Sequence, residues 1–178
     1  MRQRLPWLVS FSAAVVLSAL HHAGPIRATP ASTLFQSKTL YMGTFGEIDV
    51  SSRFIPPIAA HRERETNTWL SWQKTKGSSD LYVQSNVWQP RGSTGWHSHP
   101  GHSLIIVISG AVTDYEGHDP DCKPTVYTQG MTFVDPGGDH VHILRNEGPV
   151  AAQTVAVQLI PTGQPRRIDV AAPKNCPF

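Results

Sequence analysis

Gly95-Trp96-His97-Ser98-His99-Pro100-Gly101-His102-Ser103-Leu104-Ile105-Ile106-Val107-Ile108-Ser109-Gly110 is the stretch that decides the fold. Two histidines two residues apart run into an apolar segment that stops at a glycine. Residues two apart on a strand point to one side, so His97 and His99 face together and Ser103 shares their parity. His102 has the opposite parity and points away. A second pair, His140-Val141-His142, stands downstream between Pro136-Gly137-Gly138 and Asn146. Two imidazoles on one face suit a divalent metal that favours nitrogen ligands: iron, manganese, zinc, copper or nickel.

The surroundings read as short strands separated by turns. Leu81, Val83, Ser85 and Val87 alternate with Tyr82, Gln84, Asn86 and Trp88, the pattern of a strand. Gln89-Pro90-Arg91-Gly92-Ser93 is a turn. The unbroken run Leu104–Ser109 reads as a strand covered on both faces, by the N-terminal segment or by another subunit. Residues 111–115 are its expected hairpin partner. Further short strands are expected at 125–128, 132–135 and 141–145, and Val155, Val157 and Leu159 mark the inward face of a longer one. Many prolines and glycines (15 and 14) agree with an antiparallel sandwich or barrel rather than a helical bundle. Residues 32–79 are harder to read. Thr39–Met42 and Gly46–Val50 alternate weakly, like edge strands. Pro56-Pro57 breaks the chain, Arg62–Glu65 is a solvated charge cluster, a short helix fits 60–70, and Trp69 and Trp72 are expected to cover a core opening.

The beginning of the chain has the layout of a secretion signal. Arg2 and Arg4 precede an apolar run from Trp7 to Leu20, too short for a comfortable membrane span. Residues 1–28 are therefore assigned to a signal peptide, cut near Ala28 or Ala31. The mature protein is expected in the periplasm or outside the cell, without stable membrane association. The whole chain carries 15 basic and 13 acidic residues. Loss of Arg2, Arg4 and Arg27 leaves 12 against 13, a net of −1, which offers no argument for nucleic acid as a partner. The two cysteines, Cys122 and Cys176, make one disulfide possible in an oxidising compartment. That bridge would pin the tail (163–178) to the barrel.

The two histidine stretches together resemble the paired motifs of the cupin superfamily. The first motif is a glycine, a His-x-His, a glutamate four residues on and a closing glycine. The second is a glycine, Pro-x-Gly, a histidine and an asparagine four residues later. Gly95, His97, His99 and Gly110 match the first; Gly130, Pro136, Gly138, His142 and Asn146 match the second. The resemblance covers roughly 80–162 and is closest to single-domain, exported bacterial cupins of the second type. It implies an all-β, antiparallel double-stranded β-helix, a jelly-roll barrel, with residues 32–79 as an N-terminal extension packing on it. It implies His97, His99 and His142 as metal ligands in the barrel interior. There are two departures. Ser103 stands where the family has its glutamate ligand, and the spacing from Gly138 to His142 is one residue longer than usual, so His140 is a rival or a fourth ligand.

Such a site, with three or four histidines and no carboxylate, leaves positions open for a small-molecule ligand or substrate. An oxygenase-like or isomerase-like enzyme and a non-catalytic module that binds a small ligand or metal both remain consistent with it. No separate acid or base can be named: Asp139 reads as an exposed loop acid, Tyr115 as a packed aromatic. Trp88 and Trp96 read as packing residues, with the barrel mouth as the alternative. A homodimer is expected from the Leu104–Ile108 run and the family's habit.

Overall fold

A computed structural model describes residues 32–54 and 68–178. The expected signal peptide, the Pro56-Pro57 break, the Arg62–Glu65 cluster and most of the expected 60–70 helix lie outside these residues. No α-helix occurs among the described residues, and none there is long and apolar enough to cross a membrane.

Among the described residues there are twelve strands: β1 (Thr33–Phe45), β2 (Asp49–Phe54), β3 (Trp69–Lys74), β4 (Ser79–Ser93), β5 (His97–Ser98), β6 (Ser103–Ser109), β7 (Ala111–Glu116), β8 (Thr125–Thr128), β9 (Thr132–Asp135), β10 (His142–Arg145), β11 (Ala152–Pro161) and β12 (Ile168–Asp169). Two antiparallel layers form a nearly closed barrel. One layer runs β1-β4-β11-β6-β9 and the other β12-β5-β10-β7-β8, joined where Arg145 pairs with Ser93. β2 and β3 form a separate ribbon. This is an all-β, antiparallel barrel, one of the two architectures the strand pattern predicts and the one the resemblance implies.

Several expectations are corrected. Residues 111–115 are not the hairpin partner of β6: β7 pairs with β10 and β8, whereas β6 pairs with β11 and β9. Gly110 sends the chain across to the other layer, with φ +69° and no room for a side chain, since a Cβ would lie 2.6 Å from the Ala151 carbonyl oxygen. The expected turn after Trp88 is an excursion within β4. Trp88 pairs with Phe35 and Ser93 with Thr33, so Gln89–Gly92 bulge out opposite Leu34. Along β11, Ala152, Thr154, Ala156 and Gln158 are buried, and Val155 and Val157 lie on the half-exposed face. Val155 and Val157 thus point outward because the barrel interior on this strand is lined by small and polar side chains, whereas Leu159 is buried as expected.

β6 is covered on one side only. Ser103, Ile105 and Val107 are buried, while Leu104, Ile106 and Ile108 are exposed, beside exposed Val134 of β9. Trp69 and Trp72 do not close a core; they are 57% and 72% exposed on the β2–β3 ribbon.

Two clusters of apolar side chains hold the layers. Trp88, Ile105, Val107, Val112, Phe133 and Leu144 pack between the layers, with Phe35 of β1 against Trp88 at 4.8 Å between ring centroids. Burying side chains of this size stabilises by about 1.5–3 kcal/mol each. Trp96, Tyr115 and Ile143 form the second cluster on the outer side of the β5-β10-β7 layer, covered by Val141, Val170 and the cysteine pair.

Asp80 ties β1, β4 and the end of β11. It accepts hydrogen bonds from Thr44 Oγ1 (2.7 Å), Thr162 Oγ1 (3.2 Å) and the Gly163 N–H (3.4 Å). These bonds, Thr44's first, hold its pKa below the ordinary 3.8. A carboxyl with a depressed folded pKa adds stability above its unfolded pKa and loses it as pH falls through the folded value. Asp80→Asn should therefore melt below the unmutated chain at neutral pH, with a gap that narrows below about pH 4. A gap that stays constant down to about pH 2.5 in thermal melts would show that the carboxylate is not the source.

Candidate metal centre

β5 and β10 are antiparallel neighbours, with His97 opposite His142. His99 follows β5 on the same side as His97. The three rings therefore converge, with centroids 4.8 Å apart for His97–His99, 4.6 Å for His97–His142 and 5.9 Å for His99–His142. One ring nitrogen from each can be chosen so that all lie within 4.8 Å of one another, an arrangement that could hold a metal ion. A close backbone approach brings the two motifs together: a Cβ on Gly137, whose φ is +70°, would lie 2.4 Å from the Gly101 carbonyl carbon.

The outer contacts set the tautomers. His97 Nδ1 donates to the Gly95 carbonyl at 2.9 Å, and His99 Nδ1 donates to the Arg166 carbonyl at 2.5 Å. Each ring then turns an unprotonated Nε2 inward, the usual state of a metal-binding imidazole. Burial, followed by the neighbouring cations His142 and Arg167, holds His97 well below 6.5, and burial likewise lowers His99. Both rings are neutral at pH 7. His142 differs. Burial opposes its charge, yet Asp114 and then Asp135 and Glu116 carry its pKa above 6.5. Its Nδ1 and Nε2 are both buried without a hydrogen-bond partner; Asp114 Oδ1 lies 3.5 Å from Nδ1. Buried polar nitrogens are rarely left without a partner, and a metal ion on Nε2 fits this vacancy in the bonding of the ring.

Carboxylates that sequence reasoning passed over stand around the triad. Asp135, 2% exposed, places Oδ2 at 3.3 Å from His99 Nε2 and 3.9 Å from His142 Nε2. Its other oxygen accepts the Gly137 N–H at 2.9 Å. The available signal was its place before Pro136, on the strand that pairs with β6.

His140 does not join the triad. It precedes β10, so strand parity does not reach it. Its Nε2 lies 2.5 Å from Glu116 Oε2 and its Nδ1 3.3 Å from Asp135 Oδ1. Together with Glu116 and His118 it forms a separate group.

The triad lines a cavity in the barrel. Phe35, Trp88, Ile105 and Phe133 supply an apolar wall, and Gln84, Gln158 and Arg166 supply polar groups. Ser37 Oγ donates to Gln84 Oε1, Gln84 Nε2 to Gln158 Oε1, and Gln158 Nε2 to the Arg166 carbonyl that also receives His99. Sequence patterning singled out neither glutamine for this role. Trp88 belongs to the cavity wall; Trp96 packs in the outer cluster. Tyr115 donates its hydroxyl to Glu147 at 2.9 Å, and Asp139 is exposed.

Residues 87–158 match the family described as Cupin domain. Those residues carry the likeness to a cupin domain. The matched span contains both histidine stretches and strands β5 to β10. Among solved structures, this chain is similar to an uncharacterised conserved protein with a double-stranded β-helix domain from Klebsiella pneumoniae. That likeness has 23% identity and TM-score 0.43, covering 51% of this chain and 75% of the other. A conserved protein of unknown function from Streptococcus pyogenes is 24% identical with a TM-score of 0.39, covering 47% and 67%. A polyketide cyclase from Streptomyces resistomycificus is 19% identical with a TM-score of 0.43, covering 51% and 60%. No curated protein matches the chain.

Proposed function

We propose that this chain is an exported, metal-dependent cupin that binds a small organic molecule in the barrel lumen and acts on it in an oxygenase-like or isomerase-like way. The observation that carries this reading is the convergence of His97, His99 and His142 in the cavity, with both nitrogens of buried His142 lacking a hydrogen-bond partner. These three residues would hold a divalent transition metal, and the bound ion would supply Lewis acidity or a redox centre.

The chain's own groups have separate tasks. The Gly95 and Arg166 carbonyls orient two of the rings. Phe35, Trp88, Ile105 and Phe133 exclude water from one side of the cavity. Arg166 lines the same cavity, and its Nη1 is buried without a hydrogen-bond partner. An anionic group on the ligand, such as a carboxylate, would meet that donor.

The leader-like start of the chain and the Cys122–Cys176 bridge support export, because disulfides persist in oxidising compartments. The exposed stripe of Leu104, Ile106 and Val134 is the surface through which two copies would pack. A sedimentation mass at the monomer value would remove that part of the proposal.

The test is direct. Protein purified without chelators should contain close to one transition-metal ion per chain and recover it after chelation and dialysis. Protein that holds no metal and takes none up ends the reading. Dioxygen uptake or product formation with a panel of small carboxylic acids and diketones then identifies an enzyme. Saturable binding without turnover identifies a non-catalytic binding module instead.

A further inference from the structure

Ser103 leaves the histidine site without the carboxylate that its motif leads one to expect, but the space beside it is not empty of charge. β6 and β9 are antiparallel neighbours, and Ser103 pairs directly with Asp135. Both side chains are buried and both line the cavity of the three histidines. Side chains at paired positions share a face of the sheet. A carboxylate lost from β6 is thus present on the next strand, aimed at the same space.

The local bonding points the same way. Asp135 Oδ1 is engaged, accepting the Gly137 N–H at 2.9 Å. Oδ2 faces His99 Nε2 at 3.3 Å and His142 Nε2 at 3.9 Å. His99 has its proton on Nδ1, given to the Arg166 carbonyl. Its Nε2 is therefore an acceptor that confronts a second acceptor in a buried site. Two lone pairs at that distance call for a cation between them, a proton or a metal ion. Two neighbouring ligands on one first-row ion, each about 2.1 Å from it, lie about 3.0–3.4 Å apart.

We infer that Asp135 supplies the fourth, anionic ligand of the metal centre, taking from β9 the place that a residue at position 103 would fill from β6. The inference rests on the three-histidine reading above and adds to it one ligand and one negative charge. A centre of three neutral imidazoles and one carboxylate carries a net charge one unit lower than the histidines alone. It holds a divalent cation more tightly.

Calorimetry and visible absorption with Co2+ test this on the full-length mature chain. The unmutated protein should bind one Co2+ and show d–d bands of a four-ligand protein site. Asp135→Asn keeps the shape and an acceptor for Gly137 but removes the anion. It should weaken Co2+ by more than about 100-fold, beyond the 10–100-fold typical of groups that only orient a ligand, and should change the d–d spectrum. Adding Ser103→Glu to Asp135→Asn should recover most of the affinity. An unaltered d–d spectrum in Asp135→Asn overturns the assignment, whatever the affinity. If Asp135→Asn fails to fold, Asp135→Ser, which can accept from Gly137 but offers no anion, gives the same comparison. A spectrum unaltered by Asp135→Asn together with lost binding in His142→Ala leaves the histidine site standing without Asp135. Failure of the unmutated protein to bind Co2+ overturns the histidine reading itself.

Discussion

Purified His142→Ala protein is expected to carry no metal under conditions in which the unmutated chain holds close to one ion. His142 is 2% exposed, sits opposite His97 across the β5–β10 pair, and has no hydrogen bond on either ring nitrogen. Removing it deletes one of three convergent nitrogens and leaves two, with the Asp135 carboxylate, to hold the ion. Affinity should fall by more than about 100-fold, exceeding the effect of disturbing an outer partner. The same substitution removes the imidazole that stands between Asp114 and Asp135, whose carboxylates lie 3.5 Å and 3.9 Å from its two nitrogens. Burial of the two acids without that group costs about 1–3 kcal/mol in the metal-free protein. Two measurements separate these effects. Metal content reports the ligand; thermal melts of both proteins after chelation report the fold. His142→Gln, closer in volume and still polar, should recover part of the stability and none of the one-ion stoichiometry. Full metal occupancy in a folded His142→Ala protein would mean that the ion is held elsewhere, with the Glu116, His118 and His140 group as the place to look.

Loss of the Cys122–Cys176 bridge is the second large effect. The bridge closes a separation of 54 residues, which by the chain-entropy relation stabilises by about 4 kcal/mol. It also fastens a short tail whose side chains complete the outer cluster. Phe178 lies 4.9 Å from the Tyr115 ring, 6.5 Å from the Trp96 ring and beneath the Arg145 guanidinium at 4.0 Å. Asn175 Nδ2 donates to the carbonyls of Glu116 and Asp119. Trp96 and Ile143 immediately precede or follow His97 and His142, so this cluster backs the layer that carries two of the three histidines. Reduction, or Cys122→Ser with Cys176→Ser, should lower the melting midpoint by about 10 °C for a chain of this size. A drop of less than about 2 °C would show that the tail contacts hold without the bridge. Two free thiols counted on unreduced, exported protein would show that the bridge does not form there.

The local readings and the nonlocal ones fared differently, for a physical reason. Alternation along Leu81–Trp88 and the short apolar runs between Gly and Pro were enough to read strands, since a strand's two faces are set by neighbours in the chain. Which strand lies alongside is decided by distant segments. Residues 111–115 have the pattern of a strand, yet nothing in them says that Gly110 turns them toward β10 rather than back along β6. Apolar side chains on β11 do not all face in, because this barrel encloses a cavity lined by Thr154, Ala156 and Gln158.

The sequence by itself determined the strand-and-turn character of the chain, the pairing of His97 with His99 on one side, and the likeness of two separated histidine stretches to one kind of barrel. It left His140 and His142 as rivals, because parity alone treats them alike. Only the tertiary structure separated them, by starting β10 at His142 and placing His140 against Glu116. Only the pairing of β6 with β9 brought Asp135 opposite Ser103. A carboxylate on one strand can stand in for a missing one on the next because their side chains share a face of the sheet, and that register is set across the barrel rather than along the chain.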